Sequence, residues 1–200
     1  PVRRHEIAEP LSEAIRAATL PQALFDEMIA ARLTDATAEP HADGAALTRY
    51  IEHTSAHLME LAARHLGAPE TALPAVRNYG YGTGVAALLR ALPQLRARGR
   101  DPLPPGTDLA ALAQGGLAAI SEAQARRADV PAEVLPALLP GWLAAWRLRH
   151  VMAAPDAGTN RPEHHDLAAA RDAVAEVAVV LNDGADQPRR VLRVEVRPAD

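Results

Sequence analysis

Apolar residues recur at intervals of three and four almost everywhere up to about residue 181, and only the last stretch is extended and Val-rich. That period lines up one face of a 3.6-residue helix rather than alternate faces of a strand, so the chain is predicted to be mainly α. A short helix is expected from Leu11 to Thr19, and Pro21 opens a second through Leu24, Phe25, Met28 and Ile29. The clearest helix starts at the N-cap Asp43, runs through Leu47, Tyr50, Ile51, Thr54, Leu58 and Leu61, and stops at Gly67 before Pro69. A fourth carries Val76 through Leu95, with Pro93 ending or kinking its last turn. After a Pro/Gly loop at 99–108, a fifth helix follows Asp108 through Leu109, Leu112, Leu117 and Ile120. Pro131 opens a sixth with Val134, Leu135, Leu138, Leu139, Trp142 and Trp146, expected to be buried around much of its circumference.

Beyond Met152 the composition changes. A polar linker, Pro155 to His165, leads to an Ala/Val-rich helix ending at Leu181 and an Asn-Asp-Gly turn at 182–184. Val194 and Val196 then alternate with charged residues at the period of a strand, with nothing obvious to pair with, so a loosely packed tail is expected. The predicted division is a helical domain over 1–153 and a linker, helix and divergent tail over 154–200.

Two hundred residues, 48% of them hydrophobic, suffice for one domain with a sizeable core. The net charge of -4 gives no general basic field for a polyanion, which argues against a nucleic-acid binder. With no cysteine, disulfides, thiolate nucleophiles and Cys-ligated zinc or iron-sulfur centres are excluded, leaving His and carboxylates as the possible metal ligands. No apolar run reaches the roughly 18 residues needed to span a bilayer. The opening Pro1-Val2-Arg3-Arg4-His5 has neither an initiator Met nor an apolar signal core, so the chain is expected to be cut from a longer protein.

Several constellations bear on chemistry. Gly80, Gly82 and Gly84 miss the G-x-G-x-x-G spacing and the strand that dinucleotide binding requires; small residues on a helix face instead permit close approach of a neighbouring helix. His53 and His57 stand four apart with Glu60 one turn further, a spacing that suits either a metal or an ordinary solvated face. His164 and His165 in the linker are a weaker pair. Ser12, Ser55 and Ser121 are the only serines, and none sits in a nucleophile elbow. Arg96, Arg98 and Arg100 form a basic cluster suited to a diphosphate or an anionic lipid head group, or simply to the helix C-terminus.

Read together, the run from Gly80 through Gly84, Leu88, Leu89 and Arg90 to Leu95, followed by Gly99-Arg100-Asp101-Pro102-Leu103-Pro104, resembles the second signature of the squalene/phytoene synthase family. Phe25 to Asp35 is similar to the family's F-x-x-x-I-x-x-x-x-x-D segment, and Tyr50 to Gly67 to its Y-x-x-x-x-A-G helix. The resemblance implies an all-α, isoprenoid-synthase-like helical bundle, here partial and N-terminally truncated, over residues 1 to about 150. It also implies that active relatives join prenyl diphosphates with Mg²⁺ held by two aspartate-rich motifs. At the second motif this chain has Ala91, Gln94 and Leu95, and the first would lie upstream of Pro1. Neutral side chains offer no anionic oxygens to a hard cation.

The expectation is therefore a pseudoenzyme with no cofactor, resembling the branch that includes the mitochondrial complex I assembly factor. Such a protein would bind a protein partner or lipid in the cytoplasm, peripheral to the inner membrane. One rival is a Mg²⁺-dependent prenyltransferase drawing ligands from the absent segment or from Asp35, Glu39 and Asp43; another is a passive prenyl-lipid binder. No catalytic residue is assigned. The expected contacts to a diphosphate or head group are Arg90, Arg100, Tyr81 and Gly84, with Arg90 alternatively a structural partner for a carboxylate on the helix of Asp35.

Overall fold

The computed structural model describes residues 5–37 and 39–153. Among them every regular element is helical, in the order α1 (Ala8–Ala17), α2 (Gln22–Leu33), α3 (Gly44–Ile51), α4 (His57–His65), α5 (Leu73–Ala97), α6 (Leu109–Ala125) and α7 (Ala144–Ala153), with short 3₁₀ and π turns between. The tail's expected helix, turn and strand lie outside the described residues.

Local chemistry sets most of the boundaries. The first helix begins at Ala8, three residues before the predicted Leu11, because Pro10 sits in its first turn, where a missing N–H breaks no intrahelical bond. Pro21 precedes α2, and neither α1 nor α2 contains a buried residue. Asp43 caps α3 by accepting from the Ala46 N–H at 2.7 Å, and Asp108 caps α6 by accepting from the Ala110 and Ala111 N–H groups at 2.8 and 3.2 Å. Each such cap stabilises by about 1 kcal/mol.

Two glycines close helices in the same way. Gly67 (φ 84°) follows α4, with the Ala68 N–H on the Ala63 carbonyl and the Gly67 N–H on Arg64; Gly99 (φ 72°) follows α5, with the Arg100 N–H on Leu95 and the Gly99 N–H on Arg96. Both are 6→1 and 5→2 pairs around a left-handed residue, a conformation that Gly adopts without Cβ strain.

The predicted third helix is continuous from Gly44 to His65, but a π turn at Glu52–Ala56 widens its middle. α5 is longer than predicted at both ends. Pro93 is accommodated inside it, and the helix continues to Ala97. At about 1.5 Å per residue this is the axle of the fold; α4, α6, α7 and the π turn all pack on it.

The glycines of α5 explain how closely. A Cβ on Gly80 would come within 2.8 Å of the Ala56 Cα, one on Gly84 within 2.6 Å of Ile51 and Ser55, and one on Gly82 within 2.5 Å of Ile120 on α6. The alternate glycines thus serve two neighbours, Gly80 and Gly84 facing the α3–α4 run and Gly82 facing α6. Here the expectation of close helix approach holds.

The sixth predicted helix does not form as drawn. Residues Ala132–Gly141 are 3₁₀, with Pro136 and Pro140 inside, and α7 begins only at Ala144. Two prolines remove donors that an α-helix would need, so the segment winds more tightly and then turns. Val134, Leu135, Ala137 and Gly141 are buried, while Leu139 and Trp142 are exposed.

The core has two parts. One gathers Leu47, Ile51, Val85, Leu89, Leu92, Leu103, Ile120 and Leu148 around the C-terminal half of α5. The other joins Met59, Ala63, Val76, Val130, Val134 and Leu135 around its N-terminal half. A fully buried Leu or Ile in such a cluster stabilises by about 1.5–3 kcal/mol.

Candidate functional site

Three segments separated by up to 65 residues meet at Asp35. It lies in the 3₁₀ turn Thr34–Ala36 that extends α2. Its carboxylate accepts from Arg100 Nη2 at 2.9 Å, from Arg32 Nη1 at 3.3 Å and from the Tyr50 hydroxyl at 3.0 Å. Arg32 also donates to the Tyr50 oxygen at 3.0 Å and lies over its ring, while His41 packs against the same ring at 4.6 Å. Burial pushes the Tyr50 phenol up; Arg32 opposes this and the bond to Asp35 reinforces it. Burial likewise lowers His41. Tyr50 and His41 thus flank a carboxylate that is paired with two guanidiniums.

The loop after α5 is built to deliver Arg100 to this place. Gly99 takes the left-handed conformation, which turns the chain so that Arg100 reaches Asp35. Asp101 accepts from Arg96 Nε at 2.8 Å and from the Leu103 N–H at 3.1 Å, the Pro102 carbonyl accepts from the His41 N–H at 3.0 Å, and Leu103 fills the larger core cluster. Every residue from Gly99 to Leu103 has a structural task.

The other predicted contacts are dispersed. Gly84 is buried against Ile51 and Ser55, and Tyr81 is half-buried on the larger core cluster. Arg90 is exposed on α5. Burial, and after it the positive charge of Arg90, lowers the Arg147 guanidinium on α7. The arginine that meets Asp35 is Arg100.

At the positions aligned with the family's second aspartate motif, Ala91 and Leu95 are partly buried and Gln94 is exposed. A methyl, an isobutyl and an amide do not suit Mg²⁺, which takes anionic oxygens and water. Asp35, Glu39 and Asp43 do not converge as a ligand set either: among the described residues the convergent group of three is Glu27, His53 and His57. Asp43 is engaged as a helix cap.

That group corrects the expected grouping of His53, His57 and Glu60. Glu60 is fully buried and points elsewhere, accepting from Arg64 Nε at 2.8 Å and from both Nε and Nη2 of Arg77. Burial would raise its carboxyl, but the two guanidiniums outweigh that and hold it below the ordinary carboxylate value. Glu27 of α2 takes its place beside the histidines, with Oε2 3.4 Å from His57 Nδ1 and 3.9 Å from His53 Nε2. Spacing along one helix favoured Glu60; a contact from another helix has no local signal.

The model of the squalene/phytoene synthase family matches residues 1–111, more than half of the chain. No curated protein and no solved structure matches it. The matched span contains Phe25 to Asp35, Tyr50 to Gly67 and Gly80 to Pro104, the segments that Asp35, Tyr50 and Arg100 join in space. The chain belongs to the squalene/phytoene synthase family.

Proposed function

We propose that this family member does not transfer prenyl groups and acts as a binding or assembly module, working on a membrane-associated respiratory complex as its resemblance to the complex I assembly factor implies. The observation that carries the reading is on α5: the glycine packing and Arg90 are kept, while Ala91, Gln94 and Leu95 stand where carboxylates would hold Mg²⁺. Ionising a prenyl diphosphate requires divalent charge on the leaving group, and these side chains anchor none. Asp35 supports the same reading, since its charge is matched by Arg32 and Arg100. Among the described residues no helix is long and apolar enough to cross a membrane, so contact with one would be peripheral. Incubation of the purified chain with Mg²⁺ and farnesyl or geranylgeranyl diphosphate should release no pyrophosphate and form no squalene or phytoene. Turnover would establish the rival, a Mg²⁺-dependent prenyltransferase.

A second reading, passive binding of a prenyl diphosphate or anionic lipid, predicts a co-purifying anionic lipid in mass spectrometry of the purified chain.

A further inference from the structure

The π turn Glu52–Ala56 carries His53, and His57 opens α4 directly after it, so the two histidines stand four apart on one side of the helix. Their rings are stacked at 4.8 Å with an interplanar angle of 16°. Stacking two imidazoles is not itself a reason for the turn; what lies in front of them is more telling. Glu27, on α2, points its carboxylate at both, and one ligand atom from each of the three residues lies within 4.8 Å of the others. His57 Nδ1 is buried and makes no hydrogen bond, although the Glu27 carboxylate stands 3.4 Å away. A buried polar atom without a partner is costly, and native structures seldom leave one without a reason.

We propose that Glu27, His53 and His57 form a binding site for a divalent first-row transition ion of the zinc type, with water completing its coordination. Bonds of about 2.0–2.1 Å in a tetrahedral shell put neighbouring donors roughly 3.3 Å apart. The Glu27–His57 separation of 3.4 Å already matches; the Glu27–His53 separation of 3.9 Å and that between the two histidine nitrogens, within 4.8 Å, close as the stacked rings turn to aim their lone pairs at the ion. Two imidazole nitrogens and one carboxylate oxygen suit zinc and its neighbours and not Mg²⁺, which favours oxygen donors. Three protein ligands leave a position open to solvent, and Glu27, at 48% side-chain exposure, supplies the approach. The ion would tie α2, which buries no residue of its own, to the π turn. The site is separate from Asp35 and from the aspartate-motif positions on α5, so it does not rest on the absence of prenyl transfer.

The test is a titration of the full chain, stripped with EDTA and desalted, using Co²⁺ absorption and Zn²⁺ competition against a chromophoric chelator. One equivalent should bind, and a large excess of Mg²⁺ should not displace it. Glu27→Gln and His53→Gln lie at partly exposed positions and should retain the wild-type circular dichroism. Each should weaken binding at least about tenfold, while His65→Ala should leave it unchanged. The proposal fails if the wild-type chain takes up no stoichiometric ion, or if either variant keeps wild-type affinity, as it would with the ion on His164 and His165.

Discussion

Glu60 is the one carboxylate in the described residues that is fully buried, and its surroundings decide how the fold responds to acid. Arg64 and Arg77 hold it ionised against the cost of burial, so its folded pKa lies below the ordinary 4.5. A carboxyl whose pKa is depressed on folding contributes stability that is complete above its unfolded value and is lost as the pH falls through the folded one. The wild-type melting temperature should therefore drop on acidification below about pH 4.5, and Glu60→Gln should flatten that part of the profile. At neutral pH the same substitution should cost about 3 kcal/mol, toward the low end for a broken buried pair because Arg77 is half exposed. Thermal melts of both proteins between pH 3 and 7 check this. Asp35 and Arg100 are each about a third exposed, so Asp35→Asn or Arg100→Gln should cost only about 1 kcal/mol. Because both remove the same contact, the double variant should lose less than the sum, as a double-mutant cycle in urea would show.

At the scale of elements, the glycines separate packing from propensity. Gly82→Ala places a methyl 2.6 Å from the Gly116 carbonyl oxygen, and backbone cannot move aside cheaply. It should destabilise by about 1–3 kcal/mol despite the better helix former. Gly115, on the same α6 but exposed and with nothing near its Cβ position, should behave oppositely, Gly115→Ala stabilising by about 0.5–1 kcal/mol. Urea midpoints of the two variants should move in opposite directions. The same distinction explains what was legible in the sequence. Asp43, Asp108, Pro21 and Gly67 act on their own neighbours, so the helix ends near them could be read directly. The 3₁₀ run at Ala132–Gly141 could not, since an apolar three-and-four spacing fits both helix types and only the tally of lost donors at Pro136 and Pro140 separates them. The π turn leaves no compositional mark; it is held by tertiary contacts, including the Ser55 hydroxyl donating to the Gly80 carbonyl at 2.8 Å.

For the molecule as a whole, the family resemblance was legible as three motifs, while the reason they belong together was not. Asp35, Tyr50 and Arg100 meet through contacts spanning 15 and 65 residues, for which local pattern carries no signal. In this arrangement a motif residue that looks like a ligand for diphosphate, Arg100, also fastens the α5–α6 loop to α2. The scaffold can therefore persist with neutral residues at the metal positions, since its own contacts do not depend on them. Calorimetric titration of the full chain with a non-hydrolysable farnesyl thiodiphosphate, in Mg²⁺ and again in EDTA, tests this most directly. The predicted result is the same heat in both buffers, whether from arginine contacts or from none; binding that appears with Mg²⁺ and vanishes with EDTA would contradict it.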